Sequence, residues 1–234
     1  MNGTLYAIGI GPGDPELMTL KGARILREAP VICVPRGKED GQSVALGIIS
    51  GAVDLGGKEM LEVHFPMKKG SQRDALRPAA EEVLRVLGTG RDVAFPTLGD
   101  PVLYSTFFHL YDALLTLSPD VRIEIVPGVS SINASAARAG ISLALSGDRL
   151  AVLPATYIEE MSMELIKYDT VVLMKVHSVL DKIRDTLNIK GLLDSAVYVS
   201  RVGMEGETIK PLRDVSPEDV HYFSTVIVRK QNNG

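Results

Sequence analysis

Short apolar strands alternate with helices along the first half of the chain, and this alternation limits the fold more than any other feature. Residues 5–10 form an apolar run bounded by glycines, and a helix capped by Thr19 is expected to follow it through about Glu28. Residues 31–34 are a second apolar run, and residues 73–87 give the clearest amphipathic helix. Buried strands that alternate with helices are typical of a parallel α/β sheet.

A break at residues 117–120, Leu-Ser-Pro-Asp, predicts a boundary between two lobes. Strands are expected beyond it at 121–126, 150–153, 170–174, 196–201 and 224–229. The later strands lie closer together along the chain, which favours antiparallel pairs. We therefore predict two α/β lobes: an N-terminal lobe, 1–117, with a mostly parallel sheet, and a C-terminal lobe, 121–234, with a mixed sheet. A cleft between them is the expected site for a small molecule.

Composition excludes several classes of protein. The formal net charge of −4 does not indicate the basic face that usually binds nucleic acid, although it leaves a local basic patch open, and no apolar stretch reaches the roughly 18 residues that span a bilayer. The N-terminus has no signal-peptide pattern, so a cytoplasmic protein is expected. Cys33 is the single cysteine, which fits a reducing compartment and a buried thiol.

The first predicted strand ends in a glycine-rich loop, Gly9-Ile10-Gly11-Pro12-Gly13-Asp14. A dinucleotide-binding fingerprint needs a third glycine where Asp14 stands, and Pro12 lacks the N–H that would bind phosphate. The loop therefore lets a ligand approach the backbone but disfavours a phosphate. A strained turn without a ligand is the alternative.

Four motifs follow one another in a fixed order. They are residues 12–21 (Pro-Gly-Asp-Pro-Glu-Leu-Met-Thr-Leu-Lys), 97–106 (Thr-Leu-Gly-Asp-Pro-Val-Leu-Tyr-Ser-Thr), 126–131 (Val-Pro-Gly-Val-Ser-Ser) and 171–175 (Val-Val-Leu-Met-Lys). This set resembles the tetrapyrrole (corrin/porphyrin) methylases, the class III S-adenosylmethionine-dependent methyltransferases, over nearly the whole chain. The resemblance implies the two-lobed fold of that family, S-adenosylmethionine folded in the interlobe cleft with S-adenosylhomocysteine as product, and a homodimer.

Within the family, the run that begins at Asp100 and the Met174-Lys175 pair resemble the branch that methylates C20 of precorrin-2 or of cobalt-factor II, on the path to cobalamin. The uroporphyrinogen III branch typically carries an Asp just after the second strand, where this chain has Val34-Pro35-Arg36. Uroporphyrinogen III, another precorrin, RNA or a protein side chain stay open as alternative substrates. A non-catalytic nucleotide-binding module and an interaction protein are the alternatives from other classes.

The resemblance also implies a set of cofactor contacts at strand ends. These are Pro12, Leu98, Gly99, Asp100, Leu103, Ser130, Ser131 and Met174, with Val202 and Thr225 as further candidates. The two serines are expected to begin a helix, where hydroxyls and free N–H groups point to one spot, and they serve equally well as plain caps.

Two residues are candidates for catalysis. Asp100 is expected to bind the cationic end of the cofactor or to act as a base, with an N-cap for a helix starting near Tyr104 as the alternative. Lys175 ends an apolar strand and is expected to pair with a substrate carboxylate or to steady the departing proton, unless it is simply solvated.

The implied substrate is a macrocycle with eight carboxylates, so basic groups are expected around it. The candidates for substrate binding are Gly11, Gly13, Asp14, Lys68, Lys69, Arg73 and Tyr222, with Arg149 as a further basic residue. The four histidines lack zinc spacing, and no protein-bound metal is expected.

Overall fold

The computed structural model describes residues 2–35, 44–65, 75–155 and 158–230. The chain divides into two compact units, Met1–Ser130 and Ser131–Gly234. Among the described residues, no helix is both long and apolar enough to cross a bilayer.

The first unit contains a parallel sheet of five strands in the order β3-β2-β4-β1-β5. Its strands are β1 (Thr4–Gly9), β2 (Val31–Pro35), β3 (Glu59–Val63), β4 (Val93–Thr97) and β5 (Arg122–Val126). Its helices are α1 (Leu20–Glu28), α2 (Val44–Ala52), α3 (Arg77–Gly88) and α4 (Phe107–Leu117). The parallel sheet predicted for the first half of the chain is confirmed.

The strand after the 117–120 break belongs to the first sheet. Strand β5 pairs in parallel with β1, from Thr4 opposite Arg122 to Ile8 opposite Val126. Ile123 and Ile125 also pack against the core of this unit. The division between the units therefore lies between Ser130 and Ser131, and not at the break where the sequence predicted it.

The second unit contains a mixed sheet in the order β6-β7-β10-β8-β9. Its strands are β6 (Leu150–Pro154), β7 (Thr170–Met174), β8 (Ala196–Ser200), β9 (Thr208–Pro211) and β10 (Ser224–Arg229), and its helices are α5 (Ser131–Ala139), α6 (Ile158–Lys167) and α7 (Leu180–Ile189). Strands β6 and β7 are parallel, and the other three pairs are antiparallel. The antiparallel pairs predicted for the second half are confirmed, whereas α6 and β9 were not predicted.

Local chemistry explains where two of the helices begin. Helix α1 begins after Thr19, whose hydroxyl oxygen accepts a hydrogen bond from the N–H of Gly22 at 3.1 Å, as the sequence predicts. Helix α4 begins at Phe107 and not near Tyr104, because Tyr104 has a φ of 53°, in the left-handed region that a right-handed helix cannot use.

Candidate functional site

The carboxyl ends of β1, β4 and β5 approach one another at three glycines of the first unit. A Cβ atom on Gly9 would lie 2.6 Å from the backbone nitrogen of Gly128 and 2.7 Å from the carbonyl oxygen of Gly99. A Cβ atom on Gly128 would lie 2.7 Å from the Cα of Gly9. No side chain fits at either position, so glycine is required there by space.

Backbone hydrogen bonds join the first glycine loop to the loop after β4. The N–H of Gly99 donates to the carbonyl of Gly11 at 2.8 Å, and the N–H of Ile10 donates to the carbonyl of Thr97 at 3.1 Å. Gly11 has a φ of 77° and Gly99 a φ of 69°, which glycine adopts without strain. The glycine-rich loop, residues 9–14, therefore meets the motif at residues 97–106 directly in the fold, although the two lie far apart in the chain.

Asp100 links the loop after β4 to the loop after β5. Its Oδ1 accepts a hydrogen bond from the N–H of Val102 at 2.8 Å, and its Oδ2 accepts one from the N–H of Gly128 at 2.9 Å. Asp100 is not an N-cap of α4, because the N-cap of that helix is Thr106. The alternative reading of Asp100 as a helix cap is wrong, and its carboxylate holds two loops of the site together.

The other first-unit candidates surround these loops. Gly11, Pro12 and Gly13 are buried, while Leu98 and Leu103 are half-buried. The carboxylate of Asp14 accepts the N–H of Glu16 at 2.9 Å and caps the short helical turn Pro15–Leu17. Lys68, Lys69 and Arg73 lie outside the described residues.

In the second unit, several candidates lie at one end of the mixed sheet, where β7 and β8 finish and β10 begins. We call this end the edge of the second sheet. Met174 stands opposite Thr225 in the pairing of β7 with β10, and Thr225 stands opposite Val199 in the pairing of β10 with β8. Val202 is buried just beyond β8, and Ser131 begins α5. Ser130 is the last residue of the first unit.

Lys175 follows β7 directly and is exposed, with a left-handed φ of 58°. Its side chain forms no hydrogen bond or ion pair with any residue in the described part of the chain. Arg149 precedes β6 at the opposite edge of the sheet, with its Nε 3.9 Å from the carboxylate of Asp169. The structure therefore does not bring Arg149 and Lys175 together.

Two residues that were not predicted lie at the same edge as Lys175. Arg201 follows β8, and His177 lies in the short turn Val176–Ser178 after β7. The imidazole of His177 packs against the ring of Tyr222, with centroids 5.1 Å apart. The sequence places Arg201 at the carboxyl end of a predicted strand. Ligands often bind at such ends, so this position could have identified Arg201 as a candidate.

Comparison with known proteins assigns the family. Residues 4–215 match the family described as Tetrapyrrole (Corrin/Porphyrin) Methylases. The chain belongs to this family.

This methylase resembles relatives over its whole length. It is 38% identical to "Cobalt-precorrin-2 C(20)-methyltransferase" of Salmonella typhimurium, over 99% of this chain and 98% of the relative. It is 33% identical to "Precorrin-2 C(20)-methyltransferase" of a Sinorhizobium species, over 97% of this chain and 95% of the relative.

The methylase also shares its fold with a solved structure. It superposes on uroporphyrin-III C-methyltransferase from Thermus thermophilus, crystallised with S-adenyl homocysteine, with a TM-score of 0.64 and 23% identity, covering 97% of this chain and 98% of the other. The fold predicted from the sequence is confirmed.

The first-unit loops of the methylase suit a ligand that carries no phosphate. The buried turn at Gly11–Gly13 contains a proline without an N–H, and the Asp14 carboxylate beside it is held by a backbone N–H. The hydroxyls of Thr97 and Ser105 are 3.1 Å apart and supply neutral polar groups. No three His, Cys, Asp or Glu side chains in the described ranges come together to hold a metal ion.

Proposed function

We propose that this methylase transfers a methyl group from S-adenosylmethionine to C20 of precorrin-2, or of its cobalt-loaded counterpart, in cobalamin biosynthesis. The observation that carries the proposal is full-length identity of 33% and 38% to two relatives named for this C20 methylation. One relative is named for the cobalt form and the other for the metal-free form, so the proposal covers both.

The cofactor is assigned to the loops at the carboxyl ends of β1 and β4. In the first unit we assign Pro12, Leu98, Gly99, Asp100 and Leu103 to it. Pro12 has no N–H and Asp14 places a carboxylate beside it, so these loops suit a cationic sulfonium nucleoside better than a phosphate. From the second unit, Met174, Val202, Thr225 and the serine pair Ser130-Ser131 are proposed contacts, and the expected interlobe cleft stays a prediction.

Bound S-adenosylmethionine would supply a methyl group already activated by a positive sulfur. The protein then has mainly to position donor and acceptor in line, because correct orientation alone removes much of the barrier. Asp100 serves this purpose by joining two loops of the site through its two carboxylate oxygens. We therefore assign Asp100 a positioning role, with its remaining lone pairs available to the cationic end of the cofactor.

On the substrate side, we assign Lys175 to a tetrapyrrole carboxylate or to the proton that leaves during methylation. Its exposure and its lack of an ion-pair partner in the described ranges support this assignment. Gly11, Gly13, Asp14 and Tyr222 remain proposed substrate neighbours, as do the basic residues Lys68, Lys69 and Arg73.

Incubation with S-adenosylmethionine and precorrin-2, with and without cobalt, tests the proposal by mass spectrometry. We expect one added methyl group on at least one of the two forms, located at C20 by NMR. Methylation of neither form, or methylation at another carbon, would contradict the C20 assignment.

Calorimetric titration tests the cofactor separately. We expect S-adenosylhomocysteine to bind and a dinucleotide such as NAD not to bind. Binding of the dinucleotide alone would favour a nucleotide-binding module.

The proposal includes a homodimer, as the family resemblance implies, and a cytoplasmic location, as the lack of a signal-peptide pattern led us to expect. Light scattering after gel filtration is expected to give about twice the chain mass of 25.2 kDa. A mass equal to that of one chain would remove the dimer from the proposal.

A further inference from the structure

Three strand ends converge at one edge of the second sheet. Strand β10 lies between β7 and β8 and runs antiparallel to both, so its amino end meets their carboxyl ends. The N–H of Arg201 donates to the carbonyl of Phe223 at 2.8 Å, which extends the β8–β10 ladder to this edge. His177 and Arg201 are thus carried to the same edge by two strands that flank a third.

Polar atoms without partners are concentrated at this edge. In the described part of the chain, three buried side-chain polar atoms lack a hydrogen bond, and they are His177 Nδ1, Arg201 Nε and Ser224 Oγ. Ser224 begins β10, so all three belong to this edge. Buried polar groups are nearly always paired in folded proteins, and an unpaired group in a native structure calls for a ligand or another explanation.

The guanidinium of Arg201 packs closely against the backbone of Gly206. A Cβ atom on Gly206 would lie 2.8 Å from both Cζ and Nη1 of Arg201, so the guanidinium packs against bare backbone. Arg201 itself has a φ of 51°, which is strained for a residue other than glycine. The guanidinium therefore lies against bare backbone while its Nε has no hydrogen-bond partner among the described residues.

The edge carries uncompensated positive charge. Burial lowers the pKa of His221, and the nearby Arg201 and His177 lower that pKa further. No acidic side chain among the described residues forms a hydrogen bond or ion pair with His177 or Arg201. Lys175, two residues before His177, adds a further cation that has no ion-pair partner in the same ranges.

We propose that His177 and Arg201 form a binding site for a carboxylate of the tetrapyrrole substrate. This inference rests on the proposed function, since it assigns residues to that substrate. Arg201 is always charged and donates from several N–H groups, and His177 Nδ1 donates when it carries the ring proton. A carboxylate accepts from both and supplies the missing negative charge.

The cofactor also has a carboxylate, but its charge pattern fits this edge less well. That carboxylate stands beside an ammonium group, which the cations of Arg201 and Lys175 would repel. The tetrapyrrole carries carboxylates without neighbouring cations. The edge therefore favours the substrate.

Arg201→Asn and His177→Phe test the proposal. Asn tolerates the left-handed backbone at position 201, and Phe preserves the ring packing against Tyr222. Arg213→Asn is the matched control, because Arg213 is an exposed arginine of the same unit that pairs with Asp194. Each variant is compared with wild type for methyl-transfer kinetics, for S-adenosylhomocysteine affinity by calorimetry, and for uroporphyrin binding by fluorescence.

We expect Arg201→Asn to raise the KM for the tetrapyrrole and the Kd for uroporphyrin by about tenfold or more, since a lost charged hydrogen bond has about that effect. His177→Phe should raise both constants less, and S-adenosylhomocysteine affinity should stay within about twofold of wild type. The Arg213→Asn control should match wild type throughout. If Arg201→Asn does not fold, Arg201→Lys replaces it, with an intermediate rise expected from loss of the planar fork.

Unchanged tetrapyrrole constants in the Arg201 variants would overturn the site. A loss of S-adenosylhomocysteine affinity as large as the loss for the tetrapyrrole would overturn it as well, because the carboxylate would then belong to the cofactor. Should wild type methylate neither form of precorrin-2, the proposed function fails. The binding of uroporphyrin would then still test the carboxylate site by itself. Failure of the wild-type protein to bind uroporphyrin would contradict the site.

Discussion

The Oδ2 atom of Asp100 accepts a hydrogen bond from the backbone N–H of Gly128 at 2.9 Å, which joins the loop after β4 to the loop after β5. The same carboxylate holds the N–H of Val102 at 2.8 Å within its own loop. Gly128 also lies against the backbone of Gly9, where no side chain fits. One carboxylate and two glycines therefore set the relative positions of three loops of the first unit.

Replacing Asp100 by Ala should destabilise the protein and weaken cofactor binding. The change removes two hydrogen bonds to a charged group, each worth about 1.5–3 kcal/mol. We expect a loss of about 2–5 kcal/mol in the free energy of unfolding and at least a tenfold weaker S-adenosylhomocysteine Kd. Urea denaturation and calorimetry measure the two effects.

Asp54→Ala serves as the control for this variant. Its carboxylate accepts a hydrogen bond from the N–H of Gly56 at 2.9 Å in an exposed loop. We therefore expect the free energy of unfolding to fall by about 1 kcal/mol or less, with no change in cofactor affinity. Near-normal stability and cofactor affinity in Asp100→Ala would show that the two loops are held by other contacts.

Gly128→Ala and Gly47→Ala should have opposite effects on stability. The added methyl at 128 would collide with the backbone of Gly9, whereas the Cβ at 47, in helix α2, meets nothing within 4 Å. We expect Gly128→Ala to lower the free energy of unfolding by several kcal/mol, about 2 or more. Gly47→Ala should raise it by up to about 1 kcal/mol, because alanine is the better helix former. Equal effects at the two positions in urea denaturation would disprove the close packing of the three glycines.

The contribution of Asp219 to stability should disappear in acid. The Nζ of Lys210 lies 2.7 Å from both of its carboxylate oxygens, and this bond, with those from Ser216, lowers the pKa of Asp219 from 3.8 to about 2. A folded-state pKa below the unfolded value means that the stabilisation is complete above about pH 4 and is lost as the pH falls through about 2.

We therefore expect Asp219→Asn to be less stable than wild type at pH 7, with a gap in the urea midpoints that closes between about pH 4 and pH 2. Asp194→Asn, which removes an exposed partner of Arg213, is the control and should show little difference from wild type at neutral pH. A gap for Asp219→Asn that stays constant down to pH 2 would contradict the role of the ionised carboxylate.

Cys33 should resist alkylation in the folded protein. Burial, and to a smaller extent the charge of Glu82, raises the pKa of its thiol to about 12, so the reactive thiolate is scarce at pH 8. We expect iodoacetamide to label Cys33 only when urea unfolds the chain, with mass spectrometry as the readout. Labelling of the native protein at the rate of a small free thiol would contradict its burial.

Local pattern alone determined much of this protein. The alternation of apolar runs and helices predicted the parallel sheet, and the close spacing of late strands predicted the antiparallel pairs. Thr19 was identified as a helix cap because a cap depends on residues within one turn. The ordered motifs indicated the family, since each lies within a short stretch of chain.

Only the tertiary structure decided which distant residues meet. Strand β5 follows a break that indicates a boundary between lobes in the sequence. It nevertheless pairs with β1 and completes the first sheet. The partner of Asp100 is Gly128, and the chemistry of Asp100 depends on that partner. His177 and Arg201 share one edge because two strands flank β10. Periodicity records which face of an element is buried, but not which strand or loop covers it, since that depends on packing between residues far apart in sequence.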